Sequence, residues 1–339
     1  MSGLLMMVGS GLAAAVAILL VLRNARRLGL VQAPNRRSSH TRPTPTGGGI
    51  GIVTGASLAA VLVLVNQPWP TTWIVLASLC LAAIGLWDDI NPVPPVMRLA
   101  GEVVLVAVTL ALAFPAAILS IRLGVQLPDS VLLALLTLLI VYWINLFNFM
   151  DGIDGMAGSE AVFLLAAPLG LALIGTTGVV YSPLYWWVLS TALATAVFLG
   201  FNWQPARIFM GDAGSLFLGF VIAIFALIEI AGGWISVWEA LILPACFVTD
   251  ATLTLLRRAL RGEPLMTAHR LHAYQHLARR FGSHQRVALA MTGVNLVWLL
   301  PLATAAHQLP HLGPVFALVG YLPLAGLAFF AGAGRPEHV

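Results

Sequence analysis

The chain has 339 residues, of which 60% are hydrophobic and only 9% are charged, and its formal net charge is +4 at pH 7. Soluble domains carry about 25% charged residues, so this composition excludes an ordinary soluble protein and favours a polytopic membrane protein. Because no hydrophilic stretch is long enough for a separate soluble domain, we expect a single integral membrane domain over residues 1–339.

Eleven apolar runs are long enough to cross a bilayer and predict an all-α, polytopic fold. They lie at 4–22, 48–65, 71–87, 99–119, 130–147, 160–176, 185–201, 214–231, 236–256, 287–306 and 312–333. The fourth run is the weakest, because Pro115 lies inside it and Glu102 lies near its start. The first run lacks a basic start and is long for a signal peptide, so we interpret it as a retained helix.

The arginines predict the orientation of these spans. With eleven spans, sixteen of the seventeen basic residues fall on one side of the membrane, and only Arg122 falls on the other. Positively charged loops mark the cytoplasmic side, which places the N-terminus outside and the C-terminus in the cytoplasm. Six acidic residues sort to the same side and predict a shared site there: Asp88, Asp89, Asp151, Asp154, Asp212 and Asp250.

The loop after the first run is basic and rich in Pro and Gly. It runs from Pro34 through His40 to the triplet Gly47–Gly49, a composition that indicates an ordered turn rather than a helix. His40 and Gly48 are candidate substrate-binding residues on the side that carries the acids. The alternative is that this loop only anchors the membrane topology through its arginines.

Two adjacent acids, Asp88 and Asp89, end the third run. Neighbouring residues cannot share one face of a helix, so we expect different roles for the two carboxylates. One could meet a metal ion or a nucleophile while the other is hydrogen-bonded. The alternative is a solvated helix end without a catalytic role.

The most informative segment follows the fifth run and holds Asn145, Asn148, Asp151 and Asp154 within ten residues. Two amides and two carboxylates at the end of a membrane helix are energetically costly without a function. Each of the two acids precedes a glycine, and such Asp-Gly pairs typically break a helix. This pattern suits a magnesium site or a phosphate-handling site at a membrane face.

A second polar segment opens the eighth run and extends from Asn202 to Met210-Gly211-Asp212-Ala213-Gly214-Ser215. A glycine-rich turn before a helix presents backbone N–H groups to an anion. A carboxylate among such donors makes most sense if a cation lies between them, which makes Asp212 the best candidate metal ligand. The alternative is that Asp212 only caps the helix.

The loop after the ninth run holds His269, Arg270, His272 and His276, with further arginines nearby. His272 and His276 would face the same way if this loop were helical. Histidine and arginine donors suit a pyrophosphate, whereas no acid lies between the histidines as in zinc proteases. The alternative is a basic helix that faces anionic lipid headgroups.

These motifs together resemble the polyprenyl-phosphate N-acetylhexosamine-1-phosphate transferase family, or glycosyltransferase family 4, over nearly the whole chain. The resemblance rests on the basic loop Arg36 to Gly49, the Asp88-Asp89 pair, Asn145 to Ala157, Met210 to Ser215, and Asp250 before two arginines. Three features depart from the usual pattern. Gln32 stands where the family usually has an Asp before the Pro of the first loop. The family's Asp pair is usually followed by a Lys, and here Arg98 is the nearest basic residue. In place of the family's His-x-His-His loop, this chain has His269-Arg-Leu followed by His-Ala-Tyr-Gln-His. That last form resembles the subgroup that initiates O-antigen synthesis.

The resemblance implies transfer of an N-acetylhexosamine-1-phosphate from a UDP-sugar to undecaprenyl phosphate at the bacterial inner membrane, with the site facing the cytoplasm. It implies a Mg²⁺ ion, with Mn²⁺ as the alternative, held by Asp212 and Asp151. The implied catalytic residues are Asp88, Asp89, Asp151 and Asp154. The implied substrate-binding residues are Asn145, Asn148, Asn202, Gly211, His269, Arg270, His272 and His276, together with His40 and Gly48.

Two other activities stay open at this point. A phospho-MurNAc-pentapeptide transferase of peptidoglycan synthesis belongs to the same family, but the histidine motif argues against it. A transporter or flippase of anionic lipid would need charged residues near the middle of the bilayer or on both faces. The expected partners are the UDP-sugar, the lipid phosphate and the membrane, with a second copy of the chain left open and nucleic acid excluded.

Overall fold

The structure, a computed structural model, describes residues 2–32, 43–66, 68–265, 267 and 269–336. Within these ranges the chain is almost entirely helical. Its helices are α1 Ser2–Asn24, α2 Gly49–Asn66, α3 Pro68–Ile90, α4 Pro95–Ala113, α5 Ala116–Leu123, α6 Asp129–Phe149, α7 Met156–Gly175, α8 Pro183–Asn202, α9 Asp212–Ala231, α10 Val237–Ile242, α11 Ala245–Leu260, α12 Ala273–Phe281, α13 His284–Val294, α14 Leu300–Gln308 and α15 Gly313–Ala331. Two short antiparallel strands, β1 Val31–Gln32 and β2 Thr44–Pro45, pair across the first loop.

The length and apolarity of the helices confirm a polytopic, α-helical membrane protein. In the described residues, nine helical stretches are long and apolar enough to cross a membrane, with α13 and α14 forming one such stretch, 284–308. The other two predicted runs, 48–65 and 236–256, correspond to α2 and to α10 with α11. The exact count of eleven spans and their orientation stay predictions.

Prolines explain where the helices differ from the predicted runs. The helix expected over 99–119 begins earlier, at Pro95, and ends at Ala113, two residues before Pro115. Proline disfavours helical conformation in the residue before it, and α5 then starts a separate segment of 8 residues. The run 236–256 is likewise divided into α10 and α11, with Pro244 directly before α11.

Helix α9 lies at the centre of the bundle. In its most apolar window 83% of the residues are buried, compared with 61% or less in the other eight candidate spans. Close contacts at glycines allow this packing: Gly85 of α3 lies against the backbone of Asp212, and a Cβ at Gly219 would lie 2.9 Å from Cα of Ile144 in α6. Small residues permit such close approach of membrane helices. The first turn of α9 is therefore held beside the ends of α3 and α6, which carry the predicted acidic motifs.

Candidate active site

The first turn of α9 is capped by an acid from another helix. Asp89, near the end of α3, accepts hydrogen bonds from the backbone N–H groups of Asp212 at 2.9 Å and Ala213 at 3.2 Å. Gly211 has a φ of 75°, and a Cβ there would lie 2.5 Å from Asp89 Oδ2, so glycine is required at this position. The N–H groups of Gly214 and Ser215 donate to the Gly211 carbonyl. The backbone N–H groups of residues 212 to 215 therefore already have acceptors within the protein, and binding of a substrate anion at this turn stays a prediction.

Arg98 in α4 links the two acidic motifs. Its Nη1 atom lies 3.1 Å from Asp88 Oδ2 and 2.9 Å from Asp212 Oδ2. The second oxygen of Asp88 accepts the backbone N–H of Val93 at 2.7 Å. Asp88 and Asp212 are over a hundred residues apart in the sequence, yet both contact this one guanidinium. Their contact agrees with the prediction that they lie on the same side of the membrane.

The two asparagines of the α6 motif orient acidic side chains. Asn148 donates to Asp212 Oδ1 at 3.0 Å and to Ser215 Oγ at 2.7 Å. Asn145 donates to the buried carboxylate of Glu102 and to the Val141 carbonyl. The side-chain N–H₂ groups of Asn145 and Asn148 are therefore both engaged within the protein. The predicted contact of either side chain with substrate would have to use its amide oxygen.

Asp151 differs from the acids around it. It lies in the loop between α6 and α7 and is half-buried, and its carboxylate makes no hydrogen bond or ion pair with any other described residue. Burial, and then the negative charges of Asp212 and Asp89, raise its pKa to about 7. Desolvation and like charge both disfavour the ionised carboxylate, so a cation beside Asp151 would stabilise it.

The donor set fits a magnesium ion of the kind that is bound together with its substrate. No group of three or more His, Cys, Asp or Glu side chains in the described part of the chain could hold a metal ion by itself. Magnesium usually takes one or two protein carboxylates and completes its coordination with water and substrate phosphate. The carboxylates of Asp151 and Asp212 together would supply two such ligands.

Asp154 and Asn202 join loops at the edge of the site. Asp154 accepts the N–H of Ala206 at 3.2 Å and lies 3.4 Å from Nδ1 of His284. The buried Asn202 accepts the N–H of Gly155 at 2.8 Å and donates to the Ile208 carbonyl at 2.9 Å. These partners fix the loops before α7 and α9. Neither Asp154 nor Asn202, both in the described part of the chain, forms a hydrogen bond with Asp212.

The three predicted histidines have different surroundings. His269 and His272 stack with their ring centroids 4.9 Å apart, and each also lies near the Phe149 ring at the end of α6. Helix α12 begins at Ala273, with His272 as its N-cap residue, and the His276 N–H donates to the His272 carbonyl at 3.2 Å. His276 lies on α12, with its Nδ1 3.1 Å from Arg279. Burial and the neighbouring His272 lower the pKa of His269 to about 4, so this ring is neutral at pH 7.

Asp250 and Tyr274 attach the histidine motif to the acidic centre. Asp250 accepts the N–H groups of Ala273 at 2.8 Å and Tyr274 at 2.9 Å, which caps α12. The buried Tyr274 hydroxyl donates to the Phe149 carbonyl at 3.0 Å, and a Cβ at Gly152 would collide with that hydroxyl. The loop that carries Asp151 is therefore fixed against α12. Arg270 takes part through its carbonyl, which accepts Arg279 Nη2 at 3.2 Å.

The glycines of the first loop lie against the segment before α9. Gly48 N–H donates to Phe209 at 2.8 Å, and Gly49 N–H donates to Met210 at 2.9 Å. A Cβ at Gly48 would lie 2.5 Å from the Phe198 ring. The backbone N–H of Gly48 is thus used for packing rather than left for substrate. His40 lies outside the described residues.

Several residues of this site were missed by sequence reasoning. Arg98, Glu102, Ser215 and Tyr274 were not among the predicted site residues, although Arg98 contacts both acidic motifs. A signal for Arg98 and Glu102 was present, because an arginine and a glutamate four residues apart in an apolar run are costly unless they are used. Tyr274 offered no such signal, since its role depends on a contact with α6.

Comparison with known proteins finds relatives among polyprenyl-phosphate N-acetylglucosamine-phosphate transferases. The family model described as glycosyl transferase family 4 matches residues 71–230, a range that includes Asp88, Asp151 and Asp212. A decaprenyl-phosphate N-acetylglucosaminephosphotransferase of Mycobacterium tuberculosis is 28% identical over 340 residues, which cover 90% of this chain and 82% of the relative. The undecaprenyl-phosphate alpha-N-acetylglucosaminyl 1-phosphate transferase of Escherichia coli K12 is 28% identical over 318 residues, with 90% and 83% covered. A probable undecaprenyl-phosphate N-acetylglucosaminyl 1-phosphate transferase of Bacillus subtilis is 27% identical over 289 residues, with 82% and 78% covered.

Proposed function

We propose that this chain, which belongs to glycosyl transferase family 4, transfers an N-acetylhexosamine-1-phosphate from a UDP-sugar to undecaprenyl phosphate. A phosphate oxygen of the lipid attacks the β-phosphorus of the UDP-sugar. The bond from that phosphorus to the bridging oxygen breaks, UMP leaves, and a lipid-diphosphate sugar forms. The observation that carries the proposal is the carboxylate of Asp151, which has no partner among the described residues and lies near the network of Arg98, Asp88 and Asp212.

The attacking phosphate needs little activation by a base. A phosphate ester is mostly dianionic near pH 7, so the enzyme mainly has to orient the reactants and offset their negative charge. Arg98 already contacts Asp88 and Asp212, and its guanidinium can take a phosphate oxygen as a further acceptor. We assign Asp88 and Arg98 to the orientation of the lipid phosphate.

Asp151 and Asp212 would hold the divalent cation, with magnesium preferred and manganese as the alternative. When bound, the ion neutralises charge on the phosphate oxygens. Asn148 fixes Asp212 for this role, because its hydrogen bond at 3.0 Å leaves the Asp212 carboxylate a single orientation. Asp89 acts at a distance from the substrate by holding the α9 backbone.

The histidine loop, which we define as His269–His276, is proposed to bind the pyrophosphate of the sugar nucleotide. Its attachment to Phe149 through Tyr274 holds it next to the Asp151 loop. His269 is neutral at pH 7 because its pKa is lowered to about 4, so it contributes a hydrogen bond rather than a charge. Positive charge at this position would have to come from arginine side chains such as Arg270.

The cellular setting follows from chemistry and charge. UDP-sugars are cytoplasmic, and the positive-inside distribution of arginine supports a location of the acidic motifs on that side of a bacterial inner membrane. We propose that the product starts an O-antigen or a related cell-surface polysaccharide. The names of the relatives make UDP-N-acetylglucosamine the first donor to test, with UDP-QuiNAc and UDP-FucNAc as alternatives.

The test is a transfer assay with purified protein in detergent micelles. Undecaprenyl phosphate and each UDP-sugar in turn would be supplied with magnesium, and release of UMP and formation of the lipid product would be measured together. We expect stoichiometric release of both with one donor, and none with an Asp151→Asn variant that unfolds at the wild-type temperature. Movement of lipid across the bilayer without UMP release, measured with the same protein reconstituted in vesicles, would instead support a flippase. Use of UDP-MurNAc-pentapeptide would support the peptidoglycan enzyme.

A further inference from the structure

The segment Gly332–Arg335, which follows α15, folds back onto the histidine loop. The N–H of Gly334 donates to the Leu271 carbonyl at 2.6 Å, in the middle of that loop. Gly332 lies beside the His276 ring, since a Cβ at Gly332 would be 3.6 Å from it. The segment therefore contacts the loop at its backbone and at one of its histidines.

Helix α11 holds this segment from the other side. Arg257, in the last turn of α11, donates from Nη1 to the Ala333 carbonyl at 2.6 Å. The same guanidinium lies 3.9 Å from the centroid of the Phe329 ring, a cation–π contact. Ala333 is fully buried and packs with Ala273, the first residue of α12. The segment is thus fixed between the end of α11 and the start of α12.

Glycine is required where the segment meets the loop. Gly332 and Gly334 have φ values of 95° and 72°, which residues with a Cβ rarely adopt. A Cβ at Gly334 would also lie 2.8 Å from Arg257 Cβ and 3.0 Å from the Thr254 carbonyl oxygen. Any substitution at Gly334 would therefore strain the backbone and push the segment away from α11.

We propose that Gly332–Arg335 is a positioning segment that holds the histidine loop in the conformation that binds the sugar nucleotide, with Gly334 as its central positioning residue. This inference rests on the proposed function of the loop. The hydrogen bond to Leu271 fixes the backbone directly between Arg270 and His272, and the contact of Gly332 limits the motion of the His276 ring. A loop that is ordered before binding does not lose further conformational entropy when the pyrophosphate arrives, which raises affinity for the donor substrate.

The experiment compares Gly334→Ala with a matched control, Gly262→Ala, in the full-length protein. Gly262 has almost the same φ, 69°, but a Cβ there would meet no described atom within 4 Å. The control thus reproduces the backbone strain without the displaced segment. A second variant, Arg257→Met, removes the anchor on α11 and leaves Gly334 unchanged. Hydrogen–deuterium exchange of residues 269–276 and KM for each substrate would be measured for all of them.

We expect Gly334→Ala and Arg257→Met to exchange faster in the histidine loop and KM for the UDP-sugar to rise about tenfold, because both substitutions release the segment from α11. The first does so through the clash of its Cβ with Arg257 and Thr254, and the second through loss of the hydrogen bond to the Ala333 carbonyl. KM for the lipid phosphate and kcat should stay within about twofold of wild type, and Gly262→Ala should match wild type. Unchanged exchange and KM in both variants, or an equal loss for both substrates, would overturn the inference. A wild-type protein that transfers no sugar phosphate would overturn the proposed function instead, while the exchange data would still report whether the segment orders the loop.

Discussion

The capping of α9 by Asp89 gives a specific prediction for the variant Asp89→Asn. In the wild type the two carboxylate oxygens accept the N–H groups of Asp212 and Ala213. Asparagine has the same shape but only one acceptor oxygen, so one of these N–H groups must lose its partner. The substitution also removes a negative charge from the positive end of the helix dipole.

The expected cost follows from these two losses. A buried backbone donor left without an acceptor costs about 1–3 kcal/mol, and an acid at a helix N-terminus contributes about 0.3–1 kcal/mol. Contributions at one site overlap and are not simply additive. We therefore expect Asp89→Asn to lower the free energy of unfolding by about 1–3 kcal/mol. Turnover should fall as well, because Asp212 is the first residue of the helix that Asp89 holds.

Unfolding would be followed by tryptophan fluorescence in mixed micelles as the denaturing detergent is raised, with UMP release measured on the same samples. Asp129→Asn is the matched control. Asp129, like Asp89, lies near a helix N-terminus, because it is in the first turn of α6, but it is exposed. The control should change stability by no more than about 0.5 kcal/mol. If Asp89→Asn lost turnover while its unfolding matched that of wild type, Asp89 would have a chemical role and the capping explanation would be refuted.

Three further predictions test the metal site and the topology. Asp212→Asn should abolish UMP release. The wild-type carboxylate accepts hydrogen bonds on both oxygens, and the amide of Asn would turn its N–H₂ group toward one of the two donors. Near-normal turnover would remove Asp212 from the metal site. Excess EDTA should abolish transfer and added magnesium should restore it, whereas full activity in the chelator would contradict the proposed cation. A reporter fused after Gly262 should be cytoplasmic and one fused after Gly178 periplasmic, and a periplasmic signal at Gly262 would invalidate the arginine-based orientation.

The sequence was sufficient to predict the membrane fold and several of the acids that the structure brings together. Apolar runs of helical length identify the spans because a bilayer imposes one length on every crossing. Sorting of Asp88 and Asp212 to one side followed from the arginine distribution, and their common contact with Arg98 agrees with it. These features depend on composition and on chain order, which can be read from the sequence without tertiary contacts.

The division of roles among the acids could not be predicted in the same way. Asp89 and Asp250 both cap a helix that lies far away in the sequence, α9 and α12 respectively. Whether a carboxylate meets a backbone N–H or a substrate depends on which helix ends are brought next to it, and this is decided by packing. His272 is the N-cap residue of α12, and its place at the start of that helix depends on the same Asp250 contact.

The partners of the other acids distinguish them from Asp151. Asp88 and Asp212 share the guanidinium of Arg98, and Asp89 faces the positive end of a helix dipole. Each of these carboxylates therefore has a hydrogen-bond or ion-pair partner before any substrate arrives. Asp151 has no such partner among the described residues, and burial, followed by the charges of Asp212 and Asp89, raises its pKa to about 7. A substrate that carries two phosphates would add further negative charge to this position, so we expect its binding to depend on a cation held near Asp151.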